Sequence, residues 1–156
     1  MVVFEPIAKI LLILHTISTI ILVGAVTHNF FLMIGYFRGN ISRIKLHNRY
    51  VRYGFASFIF TYLLTGALIY PTFRVRVRYD YLDKNLPWLT GLFEIKEHWM
   101  SMALAIFISY YLLNRFLDLR EDKHLVKIYS ILGIILSLVI WYATIASFLI
   151  GSYKSI

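Results

Sequence analysis

Apolar positions along this chain gather into four long stretches, separated by short segments in which polar and basic residues concentrate. The first stretch, from Ile7 to about Tyr36, reads IAKILLILHTISTIILVGAVTHNFFLMIGY. The second covers about Val51 to Tyr70, with Pro71 expected to stop it. The third runs from about Ile95 to Leu117 and is led by a wet extension beginning near Pro87. The fourth covers about Leu125 to Ile150. Crossing the hydrocarbon core of a bilayer takes about 20 mostly apolar helical residues, and each stretch is long enough. The first is too long for a removable signal peptide, and no A-x-A cleavage pattern follows it. The pattern predicts an all-α integral membrane protein: one four-transmembrane-helix bundle over residues 1–156, with spans at about 7–36, 51–70, 95–117 and 125–150.

Within each stretch, small or weakly polar residues recur at helical spacing. They are His15, Ser18, Thr19 and Leu22 in the first, and Gly54, Ser57, Thr61 and Thr65 in the second. His98, Ser101, Ala105 and Ser109 follow in the third, then Ser130, Gly133, Ser137, Ala143 and Ser147 in the fourth. Membrane helices pack through such residues, so these stripes are expected to face inward.

Composition supports the same class. Hydrophobic residues make up 60% of the chain and charged residues 15%, a balance that excludes both a water-soluble domain and a disordered one. With no cysteine, disulfides, thiolate-held iron–sulfur clusters and covalently attached c-type haem are excluded as well. The net charge of +8 is read first as topology. Nine basic residues (Arg38, Arg43, Lys45, Arg49, Arg52, Arg115, Arg120, Lys123 and Lys127) flank connections one and three. Seven (Lys9, Arg74, Arg76, Arg78, Lys84, Lys96 and Lys154) lie toward the other side. The excess places connections one and three in the cytoplasm and both termini outside a bacterial inner membrane. No recognisable nucleic-acid-binding pattern accompanies the charge, and anionic lipid is the simpler partner for it.

Ionisable side chains inside a bilayer are costly and point to function. His15 lies about two turns inside the first span, and His98 heads the third. In an up-down bundle both fall in the same membrane half, where they could ligate the iron of a b-type haem, singly or as a pair. His15 sits about 7–8 Å deeper than His98 at 1.5 Å per residue. His28, His47 and His124 fall toward the opposite side, where solvated side chains are the simpler expectation and a second haem or metal the sharper one. In connection two, FRVRVRY alternates basic and apolar residues with period two, an extended pattern that would put Arg74, Arg76 and Arg78 on one face. They could hold haem propionates or line a phospholipid surface framed by Tyr70, Tyr79, Tyr81 and Trp88. Glu94, Lys96 and Glu97 lead into His98 and could tune it, or pair on a wet helix end.

A histidine early in the first span, an Arg/Tyr-rich entry to the second and F-x-I-K-E-H at the head of the third together resemble a family pattern. It is similar to that of the four-helix bacterial membrane protoporphyrinogen oxidases that carry haem b, and of the related copper-resistance D-type membrane domains. The resemblance implies functional roles for His15 and Lys96, with Phe93 as the aromatic before the lysine. The tryptophan and Pro-Arg pair of that family's first span are absent, and Tyr110 or Tyr111 stands where it has a later histidine.

The expected function is electron transfer by a membrane b-type haem protein, a small subunit of a larger redox complex that exchanges electrons with a quinone or a protein. His15 would be the axial ligand, His98 or Lys96 the opposite one, and Arg74 and Arg76 the propionate partners. The rivals are a cofactor-free accessory subunit and a porphyrinogen-oxidising membrane enzyme.

Overall fold

The structure is a computed structural model that describes residues 4–118 and 123–155. Arg120, counted above among the basic residues, lies outside them. The described chain forms four helices and no strand. Helix α1 (Ala8–Phe37) follows a single 3-10 turn in which Pro6 fills the position where a backbone N–H would go unused. Gly39, at φ 86°, lets the chain reverse in a few residues. Helix α2 then runs from Ile44 to Asn85, α3 from Pro87 to Phe116, and α4 from Lys123 to Tyr153. Pro87 again begins its helix, so α2 and α3 are separated by Leu86 alone.

Helices α1, α2 and α4 are long and apolar enough to cross a membrane. Helix α3 is of similar length but carries Glu94, Lys96 and Glu97 near one end and Asn114 and Arg115 near the other. Helix α1 packs between α2 and α4, α4 also packs on α3, and α2 on α3 closes the ring. The outward faces hold large apolar side chains: Ile10, Ile13, Ile17 and Ile20 on α1, and Ile145 and Phe148 on α4, are all more than half exposed. That surface suits hydrocarbon, not water.

The second helix departs most from expectation. Pro71 does not stop it, and the Arg74–Tyr79 segment is helical, not extended. Two π-helical stretches, Phe60–Gly66 and Arg74–Leu82, flank an α-helical stretch that contains Pro71. Pro71 itself stands in the α-helical stretch, and the helix continues through it, keeping most backbone hydrogen bonds internal, as hydrocarbon surroundings require. The period-two alternation therefore does not gather the arginines on one face. Arg74 reaches Tyr79, Arg76 reaches Glu5, and Arg78 reaches Glu94 and Asp83.

Packing also corrects one stripe. On α3, His98, Ser101, Ala105 and Ser109 point outward; Met100, Ala103, Phe107 and Tyr110 face the core. Ser109 donates its hydroxyl to the Ala105 carbonyl, and Ser101 lies 3.0 Å from both the Glu97 carbonyl oxygen and the Tyr62 hydroxyl at the edge of α2. Phe107 instead meets Phe55 and Phe58 edge-on, so aromatic packing takes the place of small residues at this interface.

On α4 Ser130, Gly133, Ser137 and Ala143 do face inward, whereas Ser147 is exposed. A methyl group added at Gly133 would lie 2.8 Å from Met33 Cγ and 2.8 Å from the Tyr110 hydroxyl oxygen. Both neighbours are fully buried and hydrogen-bonded to each other. Gly133→Ala is expected to lower the stability of detergent-solubilised protein by about 1–3 kcal/mol, because overpacking outweighs the gain of up to about 1 kcal/mol in helix propensity. Gly91→Ala, with open space around it, is the matched control in the same thermal melt.

Candidate functional site

Two polar layers cross the bundle. The first lies toward the termini and is built around His15. The first π-helical stretch of α2 brings Thr65 to the ring: His15 Nδ1 is 3.0 Å from Thr65 Oγ1. The Thr65 hydroxyl already donates to the carbonyls of Thr61 and Phe60, at 3.1 and 3.2 Å. With its one proton shared between those carbonyls, Thr65 accepts from the ring. In that arrangement Nδ1 carries the imidazole proton and Nε2 the lone pair; a Thr65 proton turned to Nδ1 gives the opposite tautomer. The residues alongside are small. Gly66 is one, where an added Cβ would meet the Thr61 carbonyl oxygen at 2.8 Å, and Ser18 takes a 2.7 Å hydrogen bond from Thr61.

Lys96 and Glu97 of α3 lie within electrostatic reach of His15. The Lys96 ammonium pairs with Glu97 at 3.1 Å, sits 4.5 Å from the centre of the Phe93 ring, and approaches Ser147 of α4 at 3.5 Å. Its side chain is only 15% exposed. His98 is two residues on, about 200° round the helix, and is exposed with its Nδ1 on the Glu94 carbonyl oxygen. The structure thus turns Lys96, and not His98, toward His15. Arg74 and Arg76 stand farther along α2, exposed and engaged with Tyr79 and with Glu5 at 2.8 Å.

The second layer lies toward connections one and three, and its centre is His47. Expected on a solvated connection, His47 is instead in the first turn of α2 and fully buried. Its Nδ1 donates to Asn29 Oδ1 at 2.7 Å, and its Nε2 accepts from the Tyr129 hydroxyl at 2.7 Å. The Asn114 amide reaches the same nitrogen at 3.2 Å and Asn48 Oδ1 at 2.9 Å. Asn29 donates onward to the Tyr110 hydroxyl, which donates to Met33 sulfur. The Tyr110 and Tyr129 rings stack at 4.3 Å. One imidazole is thereby tied to all four helices. The signal was present in the sequence: His47, Val51, Gly54 and Phe58 form the buried face of this stretch at four-, three- and four-residue steps. His28 and His124 are exposed, and His28 stacks on Tyr50.

Among the described residues no three His, Asp or Glu side chains converge as a ligand set for a bare metal ion. A tetrapyrrole carries four of its own donors and asks the protein for one or two. His15 fits that demand, since metal-bound histidines use one ring nitrogen while a neighbour holds the other. Lys96, paired as a cation, fits an anionic substituent of such a ligand better than its iron. His98 faces away. The chain matches no protein-family model, no curated protein and no solved structure.

Proposed function

We propose that this chain is a four-span inner-membrane protein that binds b-type haem through His15 and takes part in electron transfer within a larger redox complex. Helix α3 is the fourth span, with its charged residues at or near the two membrane boundaries. Connections one and three face the cytoplasm, as the distribution of Lys and Arg favours.

The observation that carries the reading is the hydrogen-bonded state of His15: Nδ1 held by Thr65, Nε2 carrying a lone pair, small residues alongside and a cation from α3 within reach. The chain's own residues would ligate the iron, fix the ring by the Thr65 hydrogen bond, and exclude water with their apolar surroundings. Haem would supply the one-electron chemistry.

The test is the absorption spectrum of protein purified in mild detergent from haem-replete cells, with a pyridine haemochrome assay. A Soret band with a b-type haemochrome is expected. Material that stays colourless, and gains no Soret shift when titrated with haemin, overturns the proposal and leaves the cofactor-free accessory subunit as the reading.

A further inference from the structure

Toward the termini, the first turns of α1, the last turns of α2 and the end of α4 border an open cavity of about 460 Å³. Three cations line it, Lys9, Arg76 and Lys154, with two carboxylates, Glu5 and Asp80. These charges are not equivalent. Arg76 is held by Glu5 at 2.8 Å and approaches Asp80 at 4.0 Å. Lys9 has no ion pair among the described residues, and Lys154 has only the face of the Tyr81 ring, at 5.8 Å. Among the described lining residues, three cations against two carboxylates leave one net positive charge, and neither lysine has an ion pair among the described residues.

What lies below the cavity indicates its ligand. Ile13, Ile17 and Ile20 follow Lys9 along the same side of α1, and each is more than half exposed. A ligand with a singly charged anionic head and a long apolar tail would meet lysines at one end and isoleucines along the other. We propose that the cavity binds the headgroup of a phospholipid with one net negative charge, its phosphodiester between Lys9 and Lys154 and an acyl chain along the isoleucines of α1.

This site is separate from that of His15. Ala8 and His15, Thr72 and Thr65, and Lys154 and Ser147 are each seven residues apart, so the cavity lies two turns, about 10 Å, from the histidine along the same helix faces. Leu11, Ile69 and Ile150 are buried between the two levels. The proposal therefore does not depend on haem.

The experiment is native mass spectrometry of the full chain in detergent, titrated with phosphatidylglycerol. One tightly retained phosphatidylglycerol is expected, with phosphatidylcholine of equal chain length retained far less. Near a surface each lysine contributes enough that the Lys9→Ala, Lys154→Ala double variant should bind about thirtyfold more weakly. A Lys45→Ala, Lys127→Ala variant removes the same charge from exposed positions at the other end and should bind as wild type. His15→Ala should also bind as wild type. Equal retention by wild type and the Lys9, Lys154 variant overturns the proposal, as does equal retention of the two lipids. If soluble sn-glycerol 3-phosphate binds as tightly as phosphatidylglycerol, the ligand is a free phosphate and the lipid assignment falls.

Discussion

Replacing His47 by alanine is expected to lower the stability of the solubilised protein by about 2–4 kcal/mol, more than removing any other single polar side chain in the bundle. The reason lies in what stays behind. Asn29 Oδ1 loses the N–H donor that orients its amide, and the Tyr129 hydroxyl loses its acceptor. Asn114 loses one of two acceptors. Each orphaned buried group costs about 1–3 kcal/mol, and an imidazole-sized void adds to that. Hydrogen bonds between membrane helices often average only about 0.6 kcal/mol, because the unfolded helices find other partners in lipid. Here one ring serves several partners at once, which raises the loss above that average. Tyr129→Phe removes a single bond and should cost about 1 kcal/mol. Thermal melts followed by circular dichroism would compare the two. If His47→Ala melts within a degree or two of wild type, the layer is not holding the four helices together.

The second large effect concerns the other histidine. His15→Ala should abolish haem binding, while Thr65→Val should leave a haem-binding protein with affinity lower by about 10–100-fold. Valine has the shape of threonine but cannot accept from Nδ1, so the ring would lose its fixed tautomer and orientation while packing is kept. His98→Ala should titrate with haemin as wild type, because His98 is on the outward face of α3. Lys96→Ala should bind haem less tightly with an intact Soret band if the lysine meets an anionic substituent. A vanished Soret band in His98→Ala, beside an unchanged one in His15→Ala, would move the ligand to the exposed face and overturn the assignment.

Helix positions were legible in the sequence because long apolar runs leave the backbone little choice: α1, α3 and α4 begin and end within a few residues of the expected wet extension and spans. The second helix was not, for two reasons. Pro71 and the alternation of Arg74, Arg76 and Arg78 are local signals learned from proteins in water, where a chain can stop or extend without penalty. The need for continuous internal hydrogen bonding overrode both. The inward face of α3 was hidden for a different reason, since Ser101 and Ser109 can each donate to a carbonyl of their own helix and so need not point inward. His15 could be picked out because it interrupts an apolar run. His47 was masked by the basic residues around it, and its role depends on Asn29, Asn114 and Tyr129, which no local pattern joins to it.

The π-helical stretch from Phe60 to Gly66 gives α2 a tolerance that its neighbours lack. A π turn holds one residue more than an α turn, so it is a stored insertion. Deleting one residue there would let the helix close to regular α turns with little change of phase beyond it, because seven residues in wide turns sweep about the same angle as six in α turns. Thr72 would stay in the bundle interior and Arg74, Arg76 and Arg78 on their present sides, whereas the same deletion in the α-helical stretch Ile44–Ile59 would turn everything beyond it by about 100°. The wide turns thus act as slack between the two ends of one helix: His47 and Arg76 can keep their separate partners when this segment loses a residue, a freedom that the α-helical stretches on either side do not have.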